Sequence, residues 1–124
     1  MQVNIKTSGI GLTPEISTYV DKKLDAVRKL INKEDSGALC EFEVGRTTRH
    51  HKSGDIFRAE INLTTEGKSF YAASEKEDLY AAIDEVKDEI RSRLLSHKTK
   101  KETLFKRGGR QMKSLIKNLR WPKR

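Results

Sequence analysis

The stretch Asp78–Lys101, DLYAAIDEVKDEIRSRLLSHKTKK, leaves the chain few choices. Leu79, Ile83, Val86, Ile90 and Leu94 recur at helical spacing, so a helix sets all five on one face. The other faces begin acidic, with Asp84, Glu85, Asp88 and Glu89, and turn basic through Arg91, Arg93, Lys98, Lys100 and Lys101. That order suits the helix dipole, which favours anions near the N-terminus and cations near the C-terminus. The pattern predicts one long helix that packs on a sheet while presenting cations to a polyanion.

The sheet is legible upstream. Val3 and Ile5 alternate with Gln2, Asn4 and Lys6, giving a first strand before the Gly9-Ile10-Gly11 break. Thr13-Pro14-Glu15 supplies an N-cap, a proline at the first helical position and an early acid. The helix that follows buries Ile16, Tyr19, Val20, Leu24, Val27 and Leu30 or Ile31, and Asn32–Gly37 ends it. Ala38, Cys40, Phe42 and Val44 mark a second strand, and Arg46–Asp55 reads as a polar loop. Phe57, Ala59, Ile61 and Leu63 form one face of a third strand. Thr65–Lys68 is a hairpin turn, and Ser69–Ala73 returns as a fourth. Ser74-Glu75-Lys76-Glu77 has capping-box spacing and is expected to open the long helix. The order β-α-β-β-β-α predicts an α+β fold, a four-stranded sheet with an antiparallel meander and both helices on its one apolar face.

Charge divides the chain. Residues 1–95 carry 15 basic and 17 acidic side chains, whereas residues 96–124 carry 11 basic side chains and Glu102 alone. The formal net charge of +8 therefore resides in the last part of the chain. The expected organisation is an α/β domain over 1–101 and a basic tail over 102–124. In the tail, Met112, Leu115, Ile116 and Leu119 have the spacing of a short amphipathic helix. Such a stretch can serve as a solubilising tail, but charge this dense and self-repelling favours a polyanionic partner that neutralises it.

Other chemistries find little support. Cys40 is the only cysteine, which excludes an internal disulfide and suits a reducing compartment, so the cytoplasm is expected. It falls on the apolar phase of a strand, as an inert buried thiol would. His50-His51 are adjacent in a loop without a completing ligand pair, so no metal site and no cofactor are expected. Glu41, Glu43 and Glu60 on the polar strand faces read as cross-strand charge pairs rather than general acids or bases. No phosphate-binding glycine loop, nucleophile elbow or Ser-His-Asp arrangement is present, so the chain is read as a non-enzyme without a small-molecule substrate. No apolar run approaches the roughly 18 to 20 residues that span a bilayer, and the N-terminus lacks the pattern of a secretory signal. A basic chain of this kind leaves other readings open: a free-standing double-stranded RNA-binding regulator, a small RNA hydrolase using His50 and His51, and a membrane-surface protein held by its basic tail.

The order of elements, LTPEISTYVDKKLDAVRKL in the first helix and EDLYAAIDEVKDEIRSRLLSHKTK in the second resemble the ribosome hibernation-promoting factors, also called ribosome-associated inhibitor A or ribosomal subunit interface proteins. The Phe57–Ile61 stretch FRAEI is also similar, and the likeness runs from about Gln2 to Lys101. It implies a fold similar to double-stranded RNA-binding domains and a stress or stationary-phase role without enzymatic activity. The expected partner is the small ribosomal subunit and its rRNA near the decoding region, where the paths of messenger RNA and of A- and P-site tRNA would be blocked. Lys23 and Lys29 fall where the family has first-helix cations, and Lys98 and Lys100 match its HKTK ending. Lys22, Lys87, Arg91, Arg93 and Lys101 complete the expected rRNA-binding set. Lys106, Arg107, Arg110, Lys113 and Lys117 are the tail's candidates. Where the family places mid-helix cations this chain has Glu89, Ser92 and Ser96, with Arg91 and Arg93 displaced by one position. That shift rotates each charge by about 100°. Long-form members carry a second, dimerising domain for which this chain has no room, so a monomeric short form is expected.

Overall fold

A computed structural model describes residues 1–47 and 55–98. Backbone contacts divide the chain into the units Met1–Arg93 and Leu94–Arg124. In the first, strand β1 (Gln2–Ser8) is followed by helix α1 (Pro14–Arg28), then by β2 (Leu39–Thr47), β3 (Ile56–Thr65) and β4 (Lys68–Lys76). Helix α2 covers residues 79–98 and so enters the second unit, where Leu94 is buried and Lys98 exposed.

The strands lie in the order β1-β2-β3-β4. β1 pairs parallel to β2, whereas β2, β3 and β4 form the expected antiparallel meander. Because side chains alternate across a strand, the register stacks Val3, Cys40, Leu63 and Phe70 in one row and Ile5, Phe42, Ile61 and Ala72 in the next. Cys40, Phe42, Ile61 and Leu63 are almost fully excluded from solvent. The helices cover this face: Val20, Leu24 and Val27 of α1 and Ile83, Val86 and Ile90 of α2 show no solvent exposure. Burying an aliphatic side chain of this size stabilises by about 1.5–3 kcal/mol, so the two stripes fix the helices to the sheet.

Local chemistry sets the ends of the elements. The Thr13 side chain accepts from Ile16 N at 3.2 Å, with Pro14 opening α1. The β3–β4 turn places Glu66 at φ 52° and Gly67 at φ 75°, the left-handed pair that a two-residue hairpin requires. Asp35 steadies it by accepting from Thr65 Oγ1 at 2.8 Å and from Glu66 N at 2.7 Å. Those bonds, the Thr65 hydroxyl foremost, hold the Asp35 carboxyl below its ordinary pKa. A Cβ on Gly45 would collide with the Ser8 side chain and stand 2.9 Å from its carbonyl oxygen, so glycine permits the close end of the β1–β2 pair.

Two expectations are corrected. β4 does not stop at Ala73 but pairs with β3 as far as Lys76, so the Ser74–Glu77 capping box does not form. Ser74 stands opposite Ala59 inside the sheet, and its hydroxyl is buried without a partner. The cap of α2 is Asp78 instead: its carboxylate accepts from Ala81 N at 2.9 Å and its carbonyl from Ala82 N. The strand alternation through Ala72 and Ser74 continues into the supposed box, and ladder pairing outweighs the local capping signal. Likewise, Arg46 and Thr47, read as loop, close the β2–β3 ladder opposite Phe57 and Ile56.

Candidate nucleic-acid interface

The helices meet through four side chains. Tyr19 and Tyr80 pack edge to face with ring centroids 4.7 Å apart. The Tyr19 hydroxyl donates to Asp84 Oδ1 at 2.8 Å, and Lys23 Nζ lies 3.2 Å from the same oxygen. Lys23 Nζ also stands 5.2 Å from the Tyr19 ring centroid, within cation–π range. The Asp84 carboxylate, as acceptor of its proton, pushes the Tyr19 phenol up to about 12, with burial adding to the effect. These contacts place both helices on the same side of the sheet. They advance together, Tyr19 to Tyr80 and Asp84, then Lys23 to Asp84, so the helices run in the same direction.

This geometry sorts the cations. On α2, Lys87 and Arg91 follow Tyr80 and Asp84 at helical spacing and so share the flank that faces α1. Arg93 lies on the opposite flank, where it pairs with Glu89 at 3.1 Å. The one-position displacement seen in the sequence therefore splits the pair: Arg91 borders the interhelical groove and Arg93 does not. Lys22 on α1 and Lys29 at its C-cap, seven residues apart, share the solvent side next to the Tyr19–Lys23 flank. Lys22, Lys29 and Arg91 are exposed and have no ion pair with another described residue. Lys87 pairs with Asp88 and Lys23 with Asp84. Lys98 is exposed in the last described turn of α2. Lys100 and Lys101, and the tail's Lys106, Arg107, Arg110, Lys113 and Lys117, lie outside the described residues, as do His50 and His51.

The open face of the sheet has a different character. Glu43 stands directly opposite Glu60 in the β2–β3 register and opposite Lys6 in the β1–β2 register. Arg58 does form charge pairs, with Glu75 across the β3–β4 ladder at 3.5 Å and with Glu60 at 3.8 Å. Tyr71 is exposed on this face, donating to Glu60 at 2.7 Å and accepting from Arg58. A shallow depression of about 360 Å³ there is lined by Asn4, Lys6, Glu41, Glu43, Glu60 and Asn62 among others. Its acids do not favour a polyanion.

The Cys40 thiol is fully buried, and burial pushes its pKa up to about 11. Among the described residues no cluster of three metal-ligating side chains occurs, and no helix is long and apolar enough to cross a membrane. Sequence reading had located the cations but not the Tyr19–Lys23–Tyr80–Asp84 contact. The available signal was the paired i, i+4 spacing, Tyr19 with Lys23 and Tyr80 with Asp84; that the two pairs face each other is a tertiary fact.

The family model of the sigma 54 modulation protein / S30EA ribosomal protein matches residues 3–102. The chain belongs to that family. It is 29% identical over 100 residues to the ribosome hibernation promoting factor of Azotobacter vinelandii, covering 81% of this chain and 85% of that protein. To the factor of the same name from Pseudomonas putida it is 30% identical over 105 residues, covering 85% and 94%. The fold is similar to the N-terminal domain of Thermus thermophilus Protein Y, with a TM-score of 0.63 at 24% identity over 76% of this chain and 96% of that one. It is also similar to a ribosomal subunit interface protein from Coxiella burnetii, with a TM-score of 0.64 at 18% identity, covering 80% and 99%.

Proposed function

We propose that this chain is a ribosome hibernation factor, which docks on small-subunit rRNA near the decoding region and keeps messenger RNA and A- and P-site tRNA from idle ribosomes. The family match over residues 3–102 carries the reading, since it takes in both helices and their cations. The physical support is a pair of packed helices whose exposed Lys22, Lys29 and Arg91 can meet phosphates without reading bases. Docking of this kind silences by occupancy: bulk is placed on a nucleic-acid path and no bond is made or broken. The ribosome places such action in the cytoplasm.

Cosedimentation with small ribosomal subunits at rising salt tests the proposal. If docking neutralises about 6–10 phosphates, affinity falls by orders of magnitude between low and moderate salt. Charge reversal of Lys22, Lys29 and Arg91 together is expected to weaken binding at least about tenfold while leaving thermal unfolding unchanged, because all three project into solvent. Failure of the unaltered chain to sediment with subunits at low salt would sink the reading. Equal affinity for a plain RNA duplex would favour a free-standing RNA binder instead.

A further inference from the structure

We propose that Lys23 is a phosphate ligand held in reserve by Asp84, exchanging that carboxylate for an rRNA phosphate on docking. The inference rests on the ribosome-binding reading and names a positioning role for Asp84 within that surface. Asp78 also acts on Tyr19 and Asp88 pairs with Lys87, but Asp84 is the acid that holds Lys23, and a carboxylate there opposes a polyanion, so its presence calls for a physical reason. The geometry supplies one. Asp84 Oδ1 is shared by the Tyr19 hydroxyl at 2.8 Å and the Lys23 ammonium at 3.2 Å. When Lys23 leaves, the carboxylate keeps the phenol's hydrogen bond and is not orphaned.

The exchange is also inexpensive. The Lys23 and Asp84 side chains retain 31% and 42% of their exposure, and ion pairs that open to water contribute little to stability. With Asp84 as its partner, Lys23 Nζ stands over the Tyr19 ring, 5.2 Å from the centroid, so the side chain is ordered before RNA arrives. Pre-ordering lowers the entropy lost on binding. Asp84 thus positions the ammonium and surrenders it to a stronger anion. Arg28 contrasts with this arrangement: it is gripped by both Asp21 and Asp25, two acids that its departure would leave unpaired.

A double-mutant cycle on the full chain, read as affinity for small ribosomal subunits across a salt series, tests the exchange. Asp84→Asn keeps an acceptor for Tyr19 but releases Lys23, so binding is expected to tighten about two- to fivefold, the worth of an exposed pair. Lys23→Gln is expected to weaken binding and to lower the salt slope by about 0.7–0.9, one phosphate contact. In the Lys23→Gln background the gain from Asp84→Asn is expected to shrink to the part that comes from removing an acid near the polyanion. A gain undiminished there, or an unchanged salt slope in Lys23→Gln, overturns the exchange, because an uncoupled acid would gain equally in both backgrounds and a purely structural contact would move stability and not the slope. Lys23→Gln leaves the Tyr19–Asp84 bond intact and provides the readout even if Asp84→Asn folds poorly. Absence of subunit binding by the unaltered chain would defeat the ribosome reading itself, a result distinct from binding without coupling.

Discussion

The Tyr19 phenol reports on the helix contact from its own proton. Its hydroxyl is ordinarily half-ionised near pH 10, and the Asp84 carboxylate raises that point to about 12. Below pH 10 the phenol is protonated whether the chain is folded or not, so its contribution to stability is fully present. Between pH 10 and about 12 the unfolded chain releases the proton first, and the contribution is lost. Ultraviolet titration is therefore expected to show a late-ionising tyrosine that Tyr19→Phe removes. Tyr71 is also raised, by its hydrogen bond to Glu60, so Tyr71→Phe is the control for which component belongs to which ring. At this scale the sequence disclosed identity and phase: Cys40 was legible as a buried thiol. It did not disclose partners distant in the chain. Lys23 and Asp84 are separated by 61 positions, and no local periodicity specifies that they share an oxygen.

At the scale of the element, the contest over residues 74–78 shows which signals win. Ser74-x-x-Glu77 satisfies a capping pattern, yet ladder pairing through Lys76 takes these residues into β4. The cap passes to Asp78, and Asp78→Ala is expected to destabilise the fold by about 1 kcal/mol, seen as a lower denaturation midpoint. Ser74→Ala removes a buried hydroxyl that has no partner and is expected to cost nothing or to stabilise, the reverse of what a capping serine would show. Helix stripes, strand phases and the Glu66-Gly67 turn were readable because each depends on neighbours within a few residues. The parallel pairing of β1 with β2 was not, since the connection between them runs through α1. Nor was the direction of each flank of α2: a helix alone fixes the angle between Arg91 and Arg93, and only the Tyr19–Tyr80 contact shows which of them looks toward α1.

Over the whole molecule, charge is segregated. Residues 1–95 are close to neutral, and the excess of cations begins after them. The proposed function thus has a structural contribution, from placed cations on two helices, and a bulk one from the basic stretch. Removing residues 102–124 is expected to reduce affinity and flatten its salt dependence while leaving inhibition of translation detectable in a cell-free assay. Complete loss of inhibition would make the tail the main anchor. The topology also sets a schedule. The groove needs α1, made early, and Asp84, Lys87 and Arg91 of α2, the last described element to be synthesised. β1 and α1 must wait for the meander, since the parallel partner of β1 begins only at Leu39 and chains emerge N-terminus first. On the proposed docking, a nascent copy accordingly has no completed groove to offer the ribosome making it until most of the chain has been translated.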